Sequence, residues 1–166
     1  MDCMKPDFFS KTNFLWFYQD HLKILNDQKT LIGVEYNYQK NHSDIVIEDI
    51  TNSDPNYIPV KFPTEKSTVT SILIDENRNC MFIGKSNGRL LQCSLDISGL
   101  SRKIIKDYGD LGIGSIYSSL NLGNIAVFGG SKSSLAFVDL EKRHHLGVKS
   151  ESVSYTHLTL PTICSV

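Results

Sequence analysis

The chain has four cysteines, and their spacing decides whether they could bind a metal, form a disulfide or act as nucleophiles. They are Cys3, Cys80, Cys93 and Cys164, and no two of them have the Cys-x-x-Cys spacing typical of a zinc site. Cys80 and Cys93 fall on the two arms of one predicted hairpin, where a turn at residues 85–88 would place them nearly opposite each other and permit a disulfide. Three cysteines precede the C-terminal tail described below, and this odd number, without a secretory signal, favours free buried thiols.

Histidines and carboxylates occur as adjacent pairs: His144-His145, Glu48-Asp49 and Asp75-Glu76. Neighbouring side chains of a strand point to opposite faces, so such a pair cannot easily hold one metal ion or share acid and base roles. We expect the histidines to lie in a solvated polar turn and Asp75-Glu76 to end a strand. Asp49 and Asp139 recur at the repeat period described below, which predicts a structural role such as bonding turn amides.

The glycine-rich stretch at residues 109–114 resembles a phosphate-binding loop only loosely. Tyr117 stands where the last glycine of Gly-x-Gly-x-x-Gly would be, and a strand, not a helix N-terminus, is predicted to follow. We expect this stretch to join two units of the fold. The sequence therefore predicts no catalytic, cofactor-binding or metal-binding residues, no cofactor and no enzyme activity.

Charge and composition exclude several classes of protein. The chain has 17 Lys plus Arg and 18 Asp plus Glu, a net charge of -1, which gives no electrostatic basis for binding nucleic acid or an acidic membrane surface. Its 40% apolar and 21% charged residues are typical of a folded globular protein. The longest apolar run, residues 14–18, is too short to span a bilayer, and the first residues lack the basic and then apolar pattern of a secretory signal. We expect a soluble, cytoplasmic protein.

The elements that must position these residues repeat along the chain. An offset of 45 aligns two sets of apolar residues and a pair of glycines: Ile45, Leu90 and Leu135; Ile50, Leu95 and Leu140; Gly84 and Gly129. The best-defined unit has predicted strands, rich in β-branched and apolar residues and separated by turn residues, at positions 68–75, 80–84, 89–95 and 103–108. Four short strands in a unit of about 40–45 residues are typical of a β-propeller blade, a twisted sheet that buries its two faces against neighbouring blades.

Two predicted hairpins carry a resemblance to a known family. Residues 83–90 (IGKSNGRL) and 128–135 (FGGSKSSL) are similar to the hairpin between the second and third strands of WD-repeat propellers. The dipeptides that close the units are Glu48-Asp49, Cys93-Ser94 and Val138-Asp139, so the family's aspartate is kept in two units and its tryptophan in none. The Gly-His dipeptide that opens a typical repeat is also absent. The resemblance covers residues 22–147 and implies a rigid scaffold for protein partners.

The last residues resemble something other than a protein element. Residues 153–162 (VSYTHLTLPT) are similar to the translation of a transposase-type sequencing adapter, and the remaining residues and the stop fit its continuation. We therefore expect residues 153–166 to be a non-native tail.

Together these patterns predict an all-β chain, a β-propeller fragment of about three four-stranded antiparallel blades. We expect an incomplete ring, because closed propellers have about 4–8 blades. Residues 22–152 form the blades, and residues 153–166 form the adapter-derived tail. Residues 1–21, which include an aromatic cluster, form an N-terminal segment that could supply a strand of the first blade.

The function predicted from this architecture is a non-catalytic scaffold for protein interactions. Its protein partners would bind through blade loops at one end of the ring, such as Asn77 and Arg78 and residues 121–124. Two alternatives stay open: part of a propeller-based enzyme, or a regulatory region of a larger multidomain protein. Acids or histidines on the first strand of each unit would favour the enzyme, and residues 68–74 and 115–120 contain neither.

Overall fold

The computed structural model describes residues 22–37, 42–53, 60–63, 67–95 and 104–150. Within them the regular elements are β-strands, which confirms the predicted all-β class. The N-terminal segment at residues 1–21 and the tail at residues 153–166 lie outside the described residues. No helix in the described part of the chain is long and apolar enough to cross a membrane.

Twelve strands of the described residues form three antiparallel sheets, each with four strands that neighbour one another in chain order. The first sheet contains β1 (Leu22–Ile24), β2 (Thr30–Asn37), β3 (His42–Asp49) and β4 (Val60–Pro63). The middle sheet contains β5 (Val69–Asp75), β6 (Cys80–Lys85), β7 (Arg89–Ser94) and β8 (Ile104–Asp110). The last sheet contains β9 (Ile116–Asn121), β10 (Ile125–Gly130), β11 (Ser134–Asp139) and β12 (His144–Ser150).

The predicted repeat is visible in the hydrogen bonds of the backbone. In each sheet the amide just after the third strand donates to the carbonyl just before the second strand. The three equivalent bonds are Ile50 to Lys29 (2.8 Å), Leu95 to Asn79 (3.0 Å) and Leu140 to Asn124 (2.9 Å). The donors are the residues that the offset of 45 aligned, so the sequence period corresponds to one four-stranded sheet.

The middle sheet is covered on both faces. Every residue of β6 is buried. One face packs on the first sheet in a core that includes Ile32 and Ile83, and the other packs on the last sheet in a core that includes Phe82 and Phe128. The ring centroids of Phe82 and Phe128 lie 6.0 Å apart, a distance typical of packed aromatic side chains. The sheets therefore stack face to face.

The register of the middle hairpin corrects the prediction for Cys80 and Cys93. β6 and β7 pair Cys80 with Ser94 and Met81 with Cys93, so the two cysteines are one position apart in register. The turn comprises residues 86–88 because β6 extends to Lys85, and this shorter turn shifts the pairing by one residue. Cys80 consequently faces the last sheet and Cys93 the first sheet. A disulfide between them is excluded, and both are buried thiols outside any disulfide, as predicted.

Candidate functional site

The loops that the sequence predicted as a binding surface lie side by side at one end of the stacked sheets. We call this end the turn rim and define it by residues 25–29, 50–53, 76–79, 122–124 and 140–143. Arg78 Nη2 donates to Asn124 Oδ1 at 2.8 Å, which joins a turn of the middle sheet to a turn of the last sheet. The structure thus brings the two predicted loops onto one surface, while their role in binding stays a prediction.

Arg78 is held in this position by a buried carboxylate. Its Nη1 donates to Asp75 Oδ2 at 2.8 Å, and its backbone amide donates to Asp75 Oδ1 at 3.2 Å. The Asp75 side chain is 1% exposed and the Arg78 side chain 29% exposed. Asp75 is the last residue of β5, which confirms that this acid ends a strand. The pair orients the guanidinium towards the neighbouring sheet, since charge-assisted bonds are stronger and more directional than neutral ones.

Glu76 makes the corresponding link to the first sheet. Its Oε1 and Oε2 accept hydrogen bonds from the backbone N–H of Asn26 at 3.0 Å and 3.2 Å. One turn of the middle sheet therefore contacts both neighbours, through an acid on one side and a base on the other. The sequence did not single out Asn26, because nothing in its local pattern shows which turn of another unit it faces.

Aspartates stabilise the turns of the rim from within. Asp49 Oδ1 accepts hydrogen bonds from the Thr51 amide (2.9 Å) and hydroxyl (2.7 Å), and the bond from the hydroxyl is the main cause that lowers the pKa of Asp49. Asp139 Oδ1 accepts from the Glu141 and Lys142 amides at 3.0 Å and 2.7 Å. Both aspartates therefore have the structural role predicted from their spacing.

Asp27, which the sequence pattern did not single out, bonds the turn of the first sheet in the same way. Its carboxylate accepts a hydrogen bond from the Thr30 hydroxyl, and this bond is the main cause that lowers the pKa of Asp27.

A row of polar side chains crosses the buried face between the middle and last sheets. Tyr108 Oη donates to Gln92 Oε1 at 3.1 Å, and Gln92 Nε2 donates to Cys80 Sγ at 3.3 Å. Burial raises the pKa of the Cys80 thiol, and burial is also the main cause that raises the pKa of Tyr108 to about 12. Cys80 is therefore an uncharged thiol near neutral pH, whereas nucleophilic cysteines are exposed and have a lowered pKa.

The opposite end of the sheets contains the glycine-rich stretch. Residues 111–115 connect β8 to β9, so the prediction that this stretch joins two units is confirmed. Its backbone forms hydrogen bonds to two hairpin turns. The Leu111 amide donates to the Gly88 carbonyl at 3.0 Å, and the Ile113 carbonyl accepts from the backbone amide of Lys132 at 3.1 Å. Because the stretch leads into a strand, it lacks the helix N-terminus that a phosphate-binding loop uses.

The histidine pair lies in a strand, so its predicted placement in a polar turn was wrong. The turn ends at Arg143, whose φ is 53°, and His144 and His145 begin β12. They pair with Asp139 and Val138 and therefore face opposite sides of the sheet, as expected for adjacent strand residues. In the described part of the chain, no three His, Cys, Asp or Glu residues are grouped so that they could hold a metal ion.

Comparisons with known proteins agree with this architecture. No family model and no curated protein matches the chain. Among solved structures, the chain is similar to the computationally designed Ika8 protein, a designed β-propeller, with a TM-score of 0.54 and 14% sequence identity. The match covers 77% of this chain and 35% of the designed protein, so the chain spans about a third of the length of the protein that it resembles. The three stacked four-stranded sheets are therefore β-propeller blades in architecture.

Proposed function

We propose that this chain is a non-catalytic scaffold that binds a protein partner through the turn rim. The observation that supports this most is that one turn of the middle blade bonds to both neighbouring blades, through Glu76 on one side and Arg78 on the other. Turns fixed on stacked sheets hold their exposed side chains in defined positions. Such preorganisation reduces the conformational entropy that is lost when a partner binds.

The chemistry of the turn rim fits a protein surface. Leu122 is 62% exposed in its turn, and Asn77, Glu141 and Lys142 are exposed in other turns of the rim. A surface that combines an exposed apolar side chain with polar and charged groups has the composition of a protein interface. We propose a partner with an apolar pocket for Leu122 and carboxylates near Lys142.

We also propose that the propeller is of the WD-repeat type. In that family the third strand of a blade closes with an aspartate, and here Asp49 and Asp139 occupy that position and bond the amides that follow. Gly84 and Gly129 occupy matching positions in the second strands, as the hairpin resemblance requires. The family's role as a rigid platform for proteins agrees with the function proposed for the turn rim.

Charge reversal at the two ends of the blades tests the proposed binding surface. Lys142 and Lys132 are both exposed turn lysines, the first on the turn rim and the second at the opposite end. The native chain, Lys142→Glu, Leu122→Ser and Lys132→Glu would each be used as bait in an extract of the source cells, with retained proteins quantified by mass spectrometry. We expect Lys142→Glu and Leu122→Ser to reduce retention of the same protein at least several-fold, and Lys132→Glu to leave it unchanged. Equal retention by all four baits would reject the turn rim as the binding surface.

A direct measurement then distinguishes binding from indirect capture. The partner that depends on Lys142 and Leu122 would be purified, and its dissociation constant for each variant measured by calorimetry. We expect each substitution to weaken binding by about tenfold or more if the residue lies in the central contact. Undiminished affinity of both variants for the purified partner would contradict the proposal.

A further inference from the structure

The first blade packs on the middle blade with one face and turns its other face, the outer face, away from it. Ile32 and Ile45 lie on the packed face and belong to the core between the two blades. Adjacent residues of a strand point to opposite sides, so Gly33 and Val46, which pair with each other, lie on the outer face. The middle and last blades both lie on the packed side. Among the described residues, no strand of another blade therefore covers the outer face.

Val46 is nevertheless covered: it is 2% exposed, although it belongs to neither of the two clusters of buried residues that pack the blades together. Gly33 beside it is also buried, and burial raises the pKa of the Glu48 carboxyl on the same face. At the other end of the stack, by contrast, the outward-facing Leu120 of the last blade is 57% exposed. A valine in the middle of a sheet face loses contact with water only when another segment packs over it. The segment that covers Val46 therefore belongs to the residues outside the described ranges.

The position of residues 1–21 in the chain makes them the segment best placed to reach this face. They enter the first blade at Leu22, which pairs with Gly33 beside Val46, the best covered point of the outer face. An extended chain of 21 residues spans about 70 Å. A four-stranded sheet is only about 15–20 Å wide. The other undescribed connections of this blade are short and anchored at both ends: residues 38–41, 54–59 and 64–66.

The composition of residues 1–21 fits an apolar surface. Aromatic side chains bury large apolar areas, so a segment rich in them is strongly stabilised when it covers a sheet face. The outer face offers Leu22, Leu31 and Val46 as apolar partners. Six aromatic residues occur within eleven positions of the segment: Phe8, Phe9, Phe14, Trp16, Phe17 and Tyr18. The segment therefore matches the face in chemistry as well as in position.

We propose that residues 1–21 pack over the outer face of the first blade and cover Val46 with their aromatic side chains. The segment is then an intramolecular cap, held at the face by its attachment at Leu22, and this attachment favours it over a separate molecule. Such a cap shields one end of the stack from association with other chains, because soluble proteins seldom leave a contiguous apolar face exposed. The capped face is separate from the turn rim, so the cap does not depend on the function proposed for that rim.

Photocrosslinking in the full chain identifies the surface that the aromatic segment contacts. The photoreactive aromatic amino acid p-benzoylphenylalanine replaces Phe14 in one variant and Phe17 in another, and crosslinked peptides are identified by mass spectrometry after irradiation. We expect crosslinks to residues 22–36 or 42–49 of the same chain. Absence of such crosslinks in both variants would overturn the proposal. So would crosslinks confined to the last blade, or a crosslinked product with the mass of two chains, because the segment would then occupy another surface.

Thiol labelling tests whether the aromatic side chains protect residue 46. Val46→Cys places a thiol under the proposed cap, and the native Cys93, buried between the first and middle blades, reports whether the blades stay folded. In a second chain that also carries Phe14→Ser, Trp16→Ser and Phe17→Ser, labelling of residue 46 should become at least tenfold faster, while labelling of Cys93 stays slow. Fast labelling of Cys93 would show that the serine variant unfolds, and the crosslinks in the full chain then decide.

The matched control changes the connection between β3 and β4 instead of the N-terminal segment. Tyr57→Ser and Ile58→Ser, combined with Val46→Cys, should leave residue 46 as slowly labelled as in the chain with Val46→Cys alone. Fast labelling in this control, together with slow labelling after the three serine substitutions at residues 14, 16 and 17, would assign the cover to residues 54–59 and reject the cap.

Discussion

Ile116 lies so close to Gly84 that a Cβ on residue 84 would be 2.7 Å from Ile116 Cγ2 and 2.9 Å from Ile116 Cβ. The contact joins β6 of the middle blade to β9 of the last blade. Gly84 does not have a positive φ, so glycine is needed here for space and not for backbone conformation. This contact sets how closely the two blades approach.

Gly84→Ala is therefore expected to destabilise the chain by about 1–3 kcal/mol, the usual effect of overpacking a core. The free energy of unfolding in urea measures it. Gly129→Ala is the matched control, because its new methyl group meets the Ser118 hydroxyl, which can rotate away at an exposed position. We expect this control to change stability by less than about 0.5 kcal/mol. Equal losses in the two variants would contradict the assignment of Gly84 as the packing point.

The repeat made most of the fold predictable from the sequence. Strand pairing within a blade is local, so the alternation of apolar residues and turns around Gly84 and Gly129 was enough to predict a repeated antiparallel sheet. Register was harder, because a turn shorter by one residue moved Cys93 to the other face of its sheet. The strand that contains His144 was also missed, since the charged residues before it resemble a longer turn.

The links between blades were not predictable in the same way. Glu76 and Asn26 are 50 residues apart, and Arg78 and Asn124 are 46 apart. Their pairing depends on how two sheets stack, and no short sequence pattern encodes that. The sequence named Arg78 and the turn of Asn124 only because both lie in loops at equivalent positions of the repeat.

Arg78→Ala is expected to lower the free energy of unfolding by about 1–3 kcal/mol, because it leaves the buried Asp75 carboxylate without its cation. Asn124→Ala removes only the bond between the blades and should cost about 0.5–1.5 kcal/mol. Urea unfolding of both variants and of the double variant separates the two effects. The double variant should be no less stable than Arg78→Ala, since Arg78→Ala already removes both bonds. A larger loss in Asn124→Ala than in Arg78→Ala would show that Asp75 does not need the guanidinium.

The ion pair between Arg89 and Asp107 predicts a dependence of stability on acid pH. Arg89 Nε donates to both carboxylate oxygens, at 3.2 Å and 3.1 Å, and this bonding is the main cause that lowers the pKa of Asp107. Because the pKa of Asp107 is lower in the folded state, its carboxylate stabilises the fold fully above the pKa of the unfolded state, about 3.9. This stabilisation is lost as the pH falls through the lower pKa of the folded state. Asp107→Asn should therefore lower the melting temperature most near neutral pH, and the difference should disappear at more acid pH.

Arg89→Gln is the matched control for that dependence. It removes the cation and leaves the carboxylate, so its melting temperature should differ from that of the native chain over the same pH range as for Asp107→Asn. The side chains are 39% and 36% exposed, so salt should weaken the effect. A melting-temperature difference for Asp107→Asn that is constant from neutral to acid pH would contradict a lowered pKa.

The buried Tyr108 hydroxyl predicts a dependence of stability on alkaline pH. Burial is the main cause that raises its pKa to about 12, so its hydroxyl should stay protonated, and bonded to Gln92, well above the usual value of about 10. A raised pKa of the folded state means that its contribution to stability is complete below pH 10 and is lost as the pH rises towards 12. The chain has 7 tyrosines, and the difference in tyrosinate absorbance between the native chain and Tyr108→Phe isolates this one.

Tyr108→Phe keeps the ring in the core and removes only the hydroxyl that donates to Gln92. We expect a loss of about 1 kcal/mol at neutral pH, because the Gln92 Oε1 is left without this donor. The stability of Tyr108→Phe should also fall less steeply than that of the native chain above pH 10, since the variant has no phenol at this position to ionise. Gln92→Leu removes the acceptor instead. The stability of this variant should still decrease above pH 10, because the phenol of Tyr108 still ionises on unfolding. If the absorbance difference titrates near pH 10 in the folded chain, the tyrosine is solvated and the buried row from Tyr108 to Cys80 does not form.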